Sequence, residues 1–129
     1  MARPELPEER LLHSVVGAFY EVYNGLGFGY MEQLYVAALT LELRALGHLV
    51  ECEVSVPVRY KGEVIGCQRL DMLVERRLVV ETKSTHALHA SATRQVYNYL
   101  HGTGLRVGLL LHFGPEPRFY RVVGREGGR

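Results

Sequence analysis

Aspartate and lysine are almost missing from this chain. Only one of its 14 acidic residues is an aspartate, Asp71, and only two of its 15 basic residues are lysines, Lys61 and Lys83. Glutamate and arginine fill the other charged positions. A surface charge can drift with such a bias, but a metal ligand or a catalytic amine cannot. Aspartate holds its carboxylate closer to the backbone, and lysine is a compact ammonium of tunable pKa that arginine does not imitate. The exceptions are therefore the first places to look for chemistry. Cysteine is scarce too. Cys52 and Cys67 have neither zinc-cluster spacing nor the density of a disulfide scaffold. They read as buried, reduced thiols of a cytosolic protein. A net charge of +1 excludes a global basic field, so a nucleic-acid partner would need local patches or bound cations. No basic start precedes an apolar segment, so no signal peptide is expected. No apolar run approaches the roughly 20 residues that span a membrane. A cytoplasmic protein without a membrane partner is the expectation. Tryptophan is absent, which excludes nothing.

What is present suits one globular unit: 129 residues, 47% hydrophobic and 22% charged. A single domain over 1–129 is expected, with its core at about 8–123 and loose ends at 1–7 and 124–129. Leu11, Leu12, Val15, Val16, Phe19, Val22 and Tyr23 have helical spacing over 8–24, and glycines 25, 27 and 29 stop that helix. A second helix is predicted over 30–46, with Leu34, Tyr35, Ala38, Leu41 and Leu46 on its apolar side and Gly47 at its end. From Val50 to Tyr60 the pattern changes to period two, which predicts a strand. Lys61-Gly62 turns it into a second strand over 63–75, and Arg76-Arg77 leads to a third over 78–84. A third helix over 88–101, a strand over 105–113 and a short strand over 118–123 follow. The order ααβββαββ implies an α/β fold with a mixed central sheet flanked by helices. The strands before and after the third helix should be parallel neighbours.

The chemistry concentrates in RLDMLVERRLVVETKS. Glu81 and Lys83 are two apart on one strand and share a face. Asp71 lies on the preceding arm and can approach Glu81 sideways. Two carboxylates that close repel each other, and a divalent cation between them relieves the repulsion. Mg²⁺ suits one or two carboxylates together with waters and phosphate. An exposed Glu–Lys pair on an edge strand is the bland alternative. In LGFGYMEQLY, Glu32 and Tyr35 are three apart on one helical face, which turns Glu32 toward the core side. Capping the first helical turn is its alternative role. In ATRQVYNYLHG, Gln95 and Tyr99 are four apart with Arg94 beside them, and their face could reach the same pocket.

Together these stretches resemble the GxxExxY family, a branch of the PD-(D/E)xK nuclease superfamily with restriction-endonuclease-like folds. The naming motif stands as Gly29, Glu32 and Tyr35. The strand acid corresponds to Asp71, the Glu-x-Lys to Glu81-Thr82-Lys83, and the helical glutamine to Gln95, followed by Tyr99-Leu100. The likeness runs from about 11 to 123. Phe28, where proline is usual, and Arg94, where a small residue is usual, depart from the pattern.

The resemblance implies a nuclease that hydrolyses DNA phosphodiesters with Mg²⁺ or Mn²⁺. Asp71 and Glu81 would be metal ligands, and Glu32 would complete the acidic cluster, directly or through water. Lys83 would position the attacking water. Gln95 would orient substrate or Lys83, Tyr35 would support Glu32, and Arg94 and Tyr99 would flank the pocket. Arg69, Arg76, Arg77 and Arg94 cluster around this stretch in sequence and could neutralise phosphates. His86 and His89 read as solvated. DNA is favoured over RNA, with low intrinsic sequence specificity and a homodimer or protein partner supplying the rest. The runner-up is a non-catalytic nucleic-acid-binding or interaction module that keeps the fold. A third reading is an enzyme acting on a small phosphoester.

Overall fold

Helical spacing in the first third of the chain and strand spacing after it produce eight elements. The structure, a computed structural model, describes residues 7–124. The elements are α1 (Pro7–Leu26), α2 (Glu32–Ala45), β1 (Val50–Tyr60), β2 (Glu63–Val74), β3 (Leu78–Lys83), α3 (Ala92–Thr103), β4 (Val107–Phe113) and β5 (Pro117–Val123). The expected loose ends, apart from Pro7 and Gly124, lie outside the described residues. The strands form one sheet in the order β1-β2-β3-β4-β5. Only β3 and β4 are parallel, joined through α3; the other pairs are antiparallel. This is the mixed sheet of a restriction-endonuclease-like α/β fold.

Helices cover both faces of the sheet. From α1 and α2, Phe19, Tyr35, Leu39 and Leu43 pack in one cluster with Met72, Val80, Leu111 and Phe113. On the other face α3 sets Val96, Tyr99 and Leu100 against Leu70, Val79 and Leu110.

The buried side of α2 differs from the sequence expectation. Tyr35, Leu39 and Leu43 are buried, whereas Leu34 and Leu41 are 51% and 73% exposed. Two apolar stripes on this helix both satisfy helical spacing, so periodicity cannot choose between them. Packing chooses, because Tyr35 stacks on Phe113 with ring centroids 4.0 Å apart. Helix α2 ends where expected, at Gly47, whose φ of 89° suits glycine. Its N–H donates to the Arg44 carbonyl, and that of His48 donates to Leu43.

Helix α3 starts four residues later than the sequence suggests. His89 accepts a hydrogen bond from the Ser91 N–H and its Nδ1 also pairs with the Ser91 hydroxyl. Such local side-chain bonds compete with helix formation. The helix then runs through Gly102 and stops at Gly104. The cysteines are free but exposed, not buried: Cys52 sits on the edge strand β1, and Cys67 lies further out along the β1–β2 hairpin, opposite Pro57.

Strand alternation also breaks at one level of the sheet. Val50 packs on the α1–α2 face, but Val54 and Val56, of the same parity, pack on the α3 face. On β2, Leu70 and Leu73 share the α3 face although they are three apart. Both breaks fall where Glu53, with φ of 53°, stands across from Asp71.

The two stripes of α2 predict contrasting substitutions. Leu39→Ala should cost about 2–5 kcal/mol. Leu41→Ala should stay within about 0.5 kcal/mol of the parent. Denaturant melts of both variants test this; similar losses would contradict the packing described.

Candidate active site

The β2–β3 hairpin opens just where its acids meet. Pairing runs from Val74↔Leu78 to Met72↔Val80 and ends there. One step further, the Asp71 carboxylate replaces the ladder. Its Oδ2 accepts the Thr82 N–H at 2.9 Å and the Thr82 hydroxyl at 3.0 Å. These bonds fix the carboxylate between the strands. The Asp71 N–H donates a long 3.4 Å bond to Glu81 Oε1. Lys83 Nζ lies 3.6 Å from Glu81 Oε2. Asp71, Glu81 and Lys83 are therefore brought together.

Glu81 is the unusual member, with only 4% of its surface exposed. Burial, and then the negative charge of Asp71, push its carboxyl up to about 8, although Lys83 pulls the other way. Tyr99 faces the same pair from α3. Burial, then the charges of Glu81 and Asp71, push its hydroxyl up to about 12. Gln95 hydrogen-bonds that hydroxyl from one turn earlier. Gln95 thus reaches the site through Tyr99.

Glu32 comes to the edge of this group. Its Oε2 accepts the Ser84 N–H at 3.3 Å, which ties the start of α2 to the end of β3. The expected three-carboxylate cluster is not assembled: among the described residues no three His, Cys, Asp or Glu converge as a ligand set. Helix α2 packs on the opposite face from α3, so Glu32 can only reach round the strand end. The Ser84 hydroxyl donates to the Tyr30 carbonyl, adding a second tie. Tyr35 sits beneath this loop rather than beside Glu32. Its hydroxyl donates to the Gly27 carbonyl and accepts the Tyr30 N–H at 3.2 Å. Between them Gly29 takes φ of 115°, which a side chain would strain.

The arginines do not gather here. Arg94 is exposed, with its guanidinium 4.9 Å from the centre of the Tyr97 ring. Arg69 pairs with Glu53 at 3.5 Å and Arg76 with Glu51 at 3.3 Å. Arg77 lines a pocket with His48 and Glu75. Nearness in sequence misleads at a hairpin: five strand residues carry the turn roughly 15 Å from Asp71. His86 and His89 are both exposed.

Sequence reasoning passed over Thr82, Ser84 and His112. Buried His112 bonds through Nε2 to the Thr85 carbonyl at 2.9 Å and hydroxyl at 3.1 Å, anchoring the segment after Lys83. A signal existed for one of them. His112 is the one polar residue in the otherwise apolar, fully buried run VGLLLHF.

The donor set fits a hard divalent cation. A pair of carboxylates, one buried and disfavoured as an anion by the other, is what such an ion stabilises, and Mg²⁺ is commonly held by one or two carboxylates.

Comparison with known proteins gives a family and a fold. The model of the PD-(D/E)XK nuclease superfamily matches residues 9–122. The fold is similar to the crystal structure of SSO0001, with a TM-score of 0.58 and 19% identity. That likeness covers 71% of this chain and 49% of the other, so the match spans about half of SSO0001. No curated protein matches the chain significantly.

The burial of Glu81 has a consequence for stability. Its ordinary value is 4.5, and the folded protein holds the proton up to about 8. Between those values the folded state binds the extra proton, so metal-free stability falls as pH rises through that window and levels off above it. Glu81→Gln should flatten this dependence and at pH 9 exceed the parent by at least ~1 kcal/mol. Parallel profiles for the two proteins in EDTA would contradict the assignment.

Proposed function

Because the chain belongs to the PD-(D/E)XK nuclease superfamily, we propose that it is a metal-dependent nuclease hydrolysing DNA phosphodiesters, of the GxxExxY branch. The observation that carries this reading is the Glu81 carboxyl, buried between Asp71 and Lys83. Asp71 and Glu81 are the residues that would hold Mg²⁺ or Mn²⁺. The ion, when bound, supplies charge neutralisation and Lewis acidity at the attacked phosphate.

The remaining work falls to the chain itself. Thr82 holds Asp71 in a fixed plane, so the acidic pair is organised before substrate arrives. Lys83 keeps an ammonium beside Glu81, placed to orient the attacking water and to steady charge developing on the phosphoryl oxygens. Tyr99 keeps its proton and offers a neutral donor at the rim of the pair. Gln95 sets the direction of that hydroxyl. Glu32 and Tyr35 act at one remove, by securing the loop that ties down the end of β3. Arg94 is exposed and stacks over Tyr97, and in this reading it serves the outer phosphate backbone.

A single site of this kind cuts one strand. Cutting both strands of a duplex calls for a second copy of the chain or a protein partner, which would also supply sequence specificity. Among the described residues no helix is long and apolar enough to cross a membrane. A cytoplasmic setting, where nucleic acid is present, fits the activity.

Labelled single- and double-stranded DNA and RNA, incubated with Mg²⁺, Mn²⁺ or EDTA, test the proposal. Wild type should cleave DNA only with metal. Asp71→Ala and Lys83→Ala should each lose about 100-fold or more. Binding without cleavage, indifferent to Lys83→Ala, would instead identify a non-catalytic module. Equal cleavage by all three proteins would mean a contaminant.

A further inference from the structure

A second feature shares β2 and α3 with the acidic pair. A pocket of about 380 Å³ opens between the β1–β2 hairpin and the end of α3. That is small for a ligand pocket and leaves room for a base and its sugar. Its polar lining is Arg59, Gln68, Asn98 and His101, and its apolar lining includes Pro57 and Val58. Gln68 precedes Asp71 by three residues, roughly 10 Å along the strand. Asn98 adjoins Tyr99, whose hydroxyl feels the charges of Asp71 and Glu81.

Two observations characterise this pocket. Its four polar side chains make no hydrogen bond or ion pair with any other group among the described residues. Some polar groups of the other pockets are committed to partners within the protein. His48 bonds Ser14 at 2.7 Å and Glu75 at 3.0 Å. His112 bonds Thr85, and Arg118 bonds Glu116 at 2.7 Å. The pocket wall is also shaped by backbone irregularity. Val58 pairs with Gly66 but Arg59 with Val64, so Ile65 is an extra residue and a bulge re-aims the strand there. Gly102 brings α3 against β1 so closely that a Cβ would meet Val56 Cγ1 at 2.9 Å.

The geometry points to a pocket that takes one unpaired nucleobase of the substrate strand next to the cleavage site, so that single-stranded DNA is held in preference to paired duplex. This rests on the nuclease reading of the neighbouring acids. Each carboxamide offers a donor and an acceptor on one flat group, the complement of a base edge. Asparagine and glutamine match adenine in this way. Apolar side chains can sandwich an extruded base. To enter the pocket a base must leave the stack, which costs a duplex its pairing and stacking and costs a single strand much less. Arg59 and His101, at the rim, can reach the flanking phosphates, which position the strand without reading it.

Fluorescence anisotropy in EDTA, where nothing is cut, tests the pocket. The probes are labelled oligo-dA, the same strand with abasic sites, and a hairpin duplex. Wild type should bind oligo-dA about 10-fold or more tightly than either other probe. The double variant Gln68→Ala/Asn98→Ala should lose that preference with its duplex affinity unchanged. Gln68→Glu/Asn98→Asp, which keeps the volumes and removes the donors, should also lose the preference, with its added charge weakening the binding of all three probes alike. Equal affinity of wild type for oligo-dA and the abasic strand would overturn the proposal, and so would a preference that survives in both variants. The readout needs no turnover. Base-dependent binding by a wild type that fails to cleave would uphold the pocket and remove the nuclease reading.

Discussion

Burying a carboxyl beside a second acid is the constraint around which this domain is arranged. A glutamate only 4% exposed, with an aspartate across the strand gap, is held mostly as the neutral acid near pH 7. The sheet accommodates the pair by giving up regularity. Ladder pairing between β2 and β3 stops at Met72↔Val80, and the Asp71 carboxylate takes the Thr82 N–H that the ladder would have used. Side-chain alternation in β1 and β2 changes face at this level. Each departure costs stability. Together they place two acids and an ammonium in one small space, as local strain at a functional site often does.

The second requirement is that the end of β3 stay still. Lys83 is its last residue, and the chain then enters a stretch without regular structure. Two straps hold that exit from opposite sides. On one, Ser84 bonds the Tyr30 carbonyl and Glu32, while Tyr35, stacked on Phe113, pins the same loop from below. On the other, His112 holds Thr85. The core of the α1–α2 face thereby steadies the end of the strand that carries Glu81 and Lys83. In this arrangement Gly29, Glu32 and Tyr35 support a loop, with Glu32 as the strut closest to the strand.

Much of this was legible before any fold was known. The element order followed from periodicity and glycine stops, and the scarcity of Asp71 and Lys83 against the chain's own bias pointed to the segment where these two side chains meet Glu81. What stayed hidden has physical reasons. Leu34 and Leu41 satisfy helical spacing as well as Leu39 and Leu43 do, and only the Tyr35–Phe113 stack decides between them. Arg76 and Arg77 are near Asp71 in sequence, but the rise of a strand carries them to the far end of the hairpin. The exposure of Cys52 and Cys67 depends on β1 being an edge strand and on the length of the hairpin, neither of which two isolated thiols reveal. Thr82 showed only as the unspecified middle of Glu-x-Lys, yet it is the residue that holds Asp71.

In the proposed function Asp71 and Glu81 share one cation. Calorimetric titration of the metal-free protein with Mn²⁺ tests it most directly. Wild type should bind a single ion per chain, and Asp71→Ala and Glu81→Ala should each abolish that isotherm while remaining folded. Unchanged Mn²⁺ binding in either folded variant would contradict the claim.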